Sequence, residues 1–214
     1  MITELTRYAS PVRGPQGLAW DGATMWLTSA ANGRLYAADP RTWRIRDEFV
    51  PPSEALGITS TGPDLRLVLA PAIDEPDLDR DRRYVYRFSP DTGFSHCFPC
   101  PDASGSFLAH ADGTLYLSQA WDKRLVELDG RGAAVRRVRL ERRPVGMTIV
   151  DGAFYLVTVD DAWGDGRFER LGIGDDASSI RTLRSLPFEP RSVAFDGERF
   201  WIADRNGHAI VSLR

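Results

Sequence analysis

The stretch Phe195–Arg214, FDGERFWIADRNGHAIVSLR, decides how the chain is read. It holds a turn at Asp196-Gly197, the apolar-aromatic run Phe200-Trp201-Ile202, a polar turn through Asn206 and His208, and a second apolar run. The triplet recurs as Met25-Trp26-Leu27, Leu115-Tyr116-Leu117 and Phe154-Tyr155-Leu156, with a degenerate copy at Leu65-Arg66-Leu67. Copies start roughly 40 to 50 residues apart, which is the period of propeller blades. Each follows a short run and a Gly- or Asp-containing turn: GLAWDGAT, GITSTGPD, LAHADGT, MTIVDGA and VAFDGER. A third run comes after each, as RLYAAD, YVYRFS, RLVELD, AIVSLR and the weaker RFERLG. A fourth then follows four of them, as WRIRDEFV, FSHCFPC, AVRRVRL and SIRTLRSL. Short runs at this spacing with turn signals between them predict antiparallel all-β structure, four strands to a unit.

Five units fit, and the last lacks its fourth strand. The segment ITELTRY, Ile2–Tyr8, aligns with the outer runs VRRVRL and IRTLRSL that lead into later units. It is expected to pair with His208–Arg214 and close the ring, which removes an unpaired edge. The expectation is one five-bladed β-propeller domain over residues 1–214. Its blades are set at about 14–50, 53–99, 103–141, 143–187 and 190–214, the last completed by 2–8. A β-sandwich would not require the two ends to complement each other.

Composition narrows the function classes. Of 214 residues 43% are hydrophobic and 27% charged, with a net charge of −3, as in a soluble globular protein. No basic stripe with interleaved aromatics points to nucleic acid. No apolar run is long enough to span a membrane. The start, Met-Ile-Thr-Glu-Leu, does not read as a secretion signal. Two cysteines make no disulfide scaffold. A cytoplasmic protein with no nucleic-acid or membrane partner is expected, and a monomer is compatible with the sequence. No phosphate-binding loop, dinucleotide fingerprint or nucleophile elbow occurs, and no cofactor is expected.

The repeat sorts residues by face. In a propeller the loops leading into the innermost strands share one face with the loops between second and third strands, and ligands gather there at the channel mouth. The residues just before the innermost runs are Gln16, Leu56, Ser106, Val145 and Arg191. The second-to-third-strand loops add Asn32, Trp121, Asp160, Trp163, Asp204 and His208. Glu54, Arg143, Glu189 and Arg205 lie on the same face. For a ligand-binding mouth, Asp160, Asp204 and Glu54 are the acid/base candidates. Gln16 and Arg191 are placed to hold an anionic or carbonyl group, Trp121 and Trp163 to form walls, and Asn32 and His208 to make further contacts. The alternative is that these are solvated loop caps and packing aromatics.

RFWIADRNGHAIVSL resembles an NHL repeat, and MWLTSAANGRLYAAD resembles blades of virginiamycin B lyase and the SMP-30/gluconolactonase superfamily. The likeness runs along nearly the whole chain. PQGLAWDG and NGRLYAADPRTWRI also resemble the first blade of five-bladed glutamine cyclotransferases, at Gln16, Gly17, Leu18, Gly33, Arg34 and Asp39. The acidic residues which that family carries before later innermost strands have no counterpart in PVGMTIV or SGSFLAH. SMP-30 lactonases hold a divalent metal through a Glu just before the first inner strand, and this chain has Gln16 there. A ring of Gln, Leu, Ser, Val and Arg does not supply the oxygen ligands a hard cation needs, so no metal site is expected. These resemblances imply either a metal-independent lyase, cyclase or isomerase acting on a small organic molecule, or a non-enzymatic NHL-like protein- or peptide-binding module. A glutamine-cyclotransferase-like acyltransferase is the third reading.

Other features read as structural. Asp77, Asp79 and Asp81 alternate within DEPDLDRDRR but lack the glycine and distal Glu of a calcium loop, so a salt-bridged lid is expected. Cys97 and Cys100 in HCFPC sit on an outer strand rather than at a helix N-terminus, which fits packing or a weakly reactive thiol pair. His110 aligns with Trp20, Ser60, Ile149 and Phe195, which places it near the hairpin end of the innermost strands as a core or channel histidine.

Overall fold

The computed structural model describes residues 4–69 and 82–214. The outermost strand of the last blade comes first in the chain: β1 (Glu4–Ala9). Blade one follows with β2 (Pro15–Trp20), β3 (Met25–Ser29), β4 (Leu35–Ala38) and β5 (Ile45–Phe49). Blade two holds β6 (Ala55–Ser60), β7 (Leu65–Leu69), β8 (Tyr84–Ser89) and β9 (Gly93–Pro99). Blade three is β10 (Phe107–Ala111), β11 (Thr114–Gln119), β12 (Arg124–Leu128) and β13 (Ala134–Arg139). Blade four is β14 (Arg143–Val150), β15 (Ala153–Val159), β16 (Gly166–Gly172) and β17 (Arg181–Leu186). Blade five is β18 (Pro190–Phe195), β19 (Phe200–Asp204) and β20 (Ala209–Leu213), with β1 at its outer edge.

Each blade is a four-stranded antiparallel sheet. The innermost strands touch in a closed circuit: β2 meets β6 and β18, β10 meets β6 and β14, and β14 meets β18. β1 pairs with β20 from Glu4↔Leu213 to Ala9↔Ala209, so the ring closes as the sequence predicts. Ile2 lies outside the described residues, as does the Asp77–Asp81 segment for which a lid is expected. No helix among the described residues is long and apolar enough to cross a membrane.

Burial follows position within the blade. β3, β4, β19 and β20 are buried along their whole length, because neighbouring blades cover both faces of the sheet. The outer β13 alternates half-buried and exposed residues, with Arg137 and Arg139 turned to solvent. In the triplets the third residue is fully buried: Leu27, Leu67, Leu117, Leu156 and Ile202. The aromatic residue fills a seam between blades. Trp26 packs on Phe88 of blade two, Tyr116 on Phe154 of blade four, and Tyr155 on Phe200 of blade five. Trp201 packs on Trp43 of blade one and on Tyr8 of the closing strand.

The hairpin aspartates also have an assignable task. Asp21 accepts from the backbone N–H of Ala23 and Thr24 and from Trp26 Nε1; Asp196 repeats this with Glu198, Arg199 and Trp201 Nε1. An Asp five residues before the Trp therefore closes the turn and satisfies the buried indole together.

Candidate functional site

Four of the innermost strands carry an irregularity where they begin. The register shifts at Pro15/Gly17, Ala55/Ile58, Pro144/Gly146 and Arg191/Val193. A bulge leaves a residue unpaired and re-aims its side chain. Gln16, Leu56 and Val145 are left unpaired at these shifts, Arg191 directly precedes the unpaired Ser192, and Ser106 immediately precedes β10. All five line one cavity of about 330 Å³ at the channel mouth. Its wall is Ala120 and Trp121 from the β11–β12 loop, Trp163 from the β15–β16 loop, Arg205 from the β19–β20 loop, and Phe107.

The cavity is a cup because the residues just below its rim hold the strands together. A Cβ on Gly57 would stand 2.3 Å from Phe107 Cα, one on Gly146 2.5 Å from Ser192 Cα, and one on Gly17 2.9 Å from the Leu56 carbonyl. Only bare backbone allows so close an approach. Buried hydroxyls stitch the same layer. Gly17 N–H donates to Thr28 Oγ1 (2.8 Å), which donates to the Leu56 carbonyl (3.2 Å), and Ser118 links Phe107 N–H to the Pro144 carbonyl likewise. Ser192, held at φ 50°, accepts from Leu18 N–H (2.8 Å) and ties blade five to blade one. Beyond this layer lies a separate cavity of about 160 Å³ at the hairpin end, where His110 stands among Trp20, Ser60, Ile149 and Phe195. His110 is half-buried, and burial, aided by Arg66, lowers its pKa from the ordinary value.

Charge in the cup is one-sided. Among the described residues no Asp, Glu, His or Cys lines it. Arg191 is buried; its Nη2 donates to Glu189 Oε1 (2.6 Å) and its Nη1 to the Pro190 carbonyl (2.8 Å). Burial pulls its pKa down to about 10, with Glu189 opposing and Arg205 adding to the shift, so it remains a cation at neutral pH. The second oxygen of Glu189 accepts from Asn206, and neither of its oxygens pairs with the Arg205 side chain. Arg205 itself makes no ion pair among the described residues. Gln16 is 7% exposed, and its Oε1 is buried without a hydrogen-bond partner among the described residues.

The aromatic wall is held from outside. Trp121 and Trp163 meet edge to face at 5.3 Å. Arg143 lies 4.8 Å from the Trp121 ring and 5.5 Å from that of Trp163, and Arg191 lies 4.9 Å from Trp163. Trp121 is 70% exposed. Trp163 adopts φ 64°, a conformation bulky residues rarely take. Asp160 holds it there: its Oδ1 accepts from Gly164 N–H (2.8 Å) and Asp165 N–H (3.2 Å), and its carbonyl from Trp163 N–H. Those backbone bonds lower the Asp160 pKa.

The remaining sequence candidates stand around the cup and not in it. Asp204 is buried, paired with Arg7 of the closing strand, and accepts from Gly207 N–H (2.9 Å). His208 is exposed and accepts through Nδ1 from Gly14 N–H (3.1 Å). Asn32 is exposed and closes its own turn, donating to the Tyr36 hydroxyl (2.7 Å). Glu54 is exposed, two residues before Leu56, with no partner among the described residues. Sequence reasoning placed Arg205 only among the polar residues of the face. Its distinction, a cation without a counter-charge, depends on where Glu189 spends its two oxygens. Phe107 and Ala120 carry no chemical signal that would single them out. The cysteines lie apart from the cup: Cys97 is exposed on β9, while burial raises the Cys100 thiol to about 12.

No protein-family model matches the chain, and no curated protein matches it by sequence. Solved structures match over its whole length. The glutaminyl cyclase of Myxococcus xanthus is 14% identical with a TM-score of 0.67, covering 100% of this chain and 95% of that one. A PQQ-bound aldose sugar dehydrogenase from Streptomyces coelicolor is 13% identical with a TM-score of 0.66, covering 100% and 98%. Virginiamycin B lyase from Staphylococcus aureus is 15% identical with a TM-score of 0.55, also covering 100% and 98%. At these identities the likeness establishes the propeller fold, which hosts many activities.

Proposed function

We propose that the chain binds a small organic molecule in the mouth cup, and that any turnover there is that of a metal-independent lyase, cyclase or isomerase. The Gln16 amide carries this reading. A buried polar group without a partner costs on the order of 1–3 kcal/mol, and the bulge in β2 holds this one against an open cavity. A bound ligand supplies the missing hydrogen bond. Arg205, lining the same cup and without an ion pair among the described residues, offers a positive charge for a carbonyl oxygen on which negative charge develops, usually the largest single term in catalytic stabilisation. Trp121, Trp163, Leu56, Phe107 and Val145 supply the apolar surface that such pockets use.

The carboxylates divide by task in this reading. Asp160 presents Trp163, and Asp204 anchors the turn that carries Arg205, so both position the site. Glu54, exposed and without a partner among the described residues, is the carboxylate left for proton transfer. The test is a panel of lactones, hydroxy acids and peptides with N-terminal glutamine, followed by thermal shift and by mass spectrometry of products. A hit is expected to lose at least about tenfold in affinity in Gln16→Leu and none in His110→Gln, which alters only the opposite cavity. Glu54→Gln is expected to lower turnover without changing binding. A ligand held equally by wild type and Gln16→Leu would place binding elsewhere. The exposed Trp121 favours a second reading, a peptide-binding face. It predicts a partner whose binding is lost in Trp121→Ala and kept in Gln16→Leu.

A further inference from the structure

We infer that the ligand of the mouth cup is a monoanion with a flat aromatic body, an aryl carboxylate in its simplest form, whose charge is met by Arg205. The inference rests on the proposed small-molecule reading and deepens it. Three observations carry it. Among the described residues the cup is lined by two guanidinium groups and no carboxylate. Glu189 neutralises Arg191 and spends its other oxygen on Asn206. Among the described residues one positive charge, that of Arg205, is therefore unmatched at the wall of a largely apolar cavity. A partly desolvated cation without a counter-ion is unfavourable, and one negative charge on the occupant removes the cost.

The aromatic body follows from the tryptophans of the wall. Trp163 is kept in a strained backbone conformation by Asp160, and strain of this kind persists where the surroundings enforce it. It meets Trp121, whose ring is otherwise mostly in water, above Leu56, Val145 and Phe107. Exposing a tryptophan is unfavourable unless something covers it, and edge-to-face or offset contact with a third ring does so. The Gln16 amide at the base then takes a second polar group of the ligand.

Naphthoate, naphthamide and octanoate separate the parts of this claim. Binding is read by quenching of tryptophan fluorescence and by calorimetry, in wild type, Arg205→Gln and Arg205→Lys. Naphthoate is expected to bind wild type at least about tenfold more tightly than naphthamide, the scale of a charged hydrogen bond. Arg205→Gln is expected to erase that difference, and Arg205→Lys to restore part of it. Equal melting temperatures of the three proteins show that the variants are folded; the residue lies on a surface turn. Naphthamide binding as tightly as naphthoate overturns the anion, and octanoate binding as tightly overturns the aromatic body. In both cases the small-molecule reading stands if Gln16→Leu still weakens the compound that binds. Failure of all three probes to bind overturns the ligand class. If the wider panel also fails, the proposed function falls with it.

Discussion

At the scale of single residues, hydroxyls too small to register as functional hold the site in shape. Thr28 is fully buried, and one side-chain oxygen serves the Gly17 N–H and the Leu56 carbonyl of the next blade. Those two backbone groups flank the bulges that aim Gln16 and Leu56 into the cup. Replacing Thr28 with valine keeps the volume and removes both bonds. We expect a loss of about 1–3 kcal/mol in urea unfolding and weaker ligand binding through the displaced Gln16. Thr28→Ser, which keeps the oxygen, is expected to recover most of the binding. Equal stability of Thr28→Val and wild type would show that the stitch contributes nothing.

At the scale of an element, β1 decides whether the ring is closed. It adds the outer edge to blade five, brings Arg7 to the buried Asp204, and lays Tyr8 against Trp43 and Trp201 at 6.3 and 5.7 Å. Trp43 belongs to blade one, so the aromatic trio joins the first and last blades. Removing an aromatic side chain from such a seam leaves a gap that rigid blades cannot fill. Tyr8→Ala is expected to cost about 2–3 kcal/mol, read as a lower urea midpoint with an unchanged slope. A change in slope instead would mean that blade five detaches before the rest of the ring.

For the whole molecule, acidification is the informative perturbation. Asp39 is held at about 2, below its ordinary 3.8, by the backbone N–H of Thr42, the Arg46 side chain and the N–H of Arg41. Asp129 and Asp160 are lowered as well, chiefly by backbone N–H groups in turns, Asp161 chiefly by Lys123, and Asp176 by the Ser178 hydroxyl and then its N–H. A carboxylate with a depressed native pKa contributes stability above its unfolded value and loses it as pH falls through the native one. His110, whose native pKa lies below 6.5, works in the same direction from a higher starting point. Stability should therefore decline gently below about pH 6.5 and steeply between about pH 4 and 2. His110→Gln should remove the gentle part alone. A urea midpoint that stays level from pH 7 to 3 would contradict the assignment.

The sequence by itself determined the five units, the position of each strand within its blade, and the closing of the ring by the first strand. These rest on local alternation and turn chemistry, such as the aspartate five residues before Trp26 and Trp201, which any short window displays. It also brought Gln16, Leu56, Ser106, Val145 and Arg191 to one mouth, since equivalent positions in a cyclic repeat must meet. Only the tertiary structure decided which polar residues face the cup. Asp160, Asp204, Asn32 and His208 share its face of the propeller, yet each is engaged in a turn or a closure contact. The excess charge on Arg205 arises from pairings between the entry segment and the β19–β20 turn of blade five, and the orphaned Gln16 oxygen from its place at the cup. Glu189 has two oxygens, and which neighbours take them depends on distances of a few ångströms between segments that the repeat period does not encode.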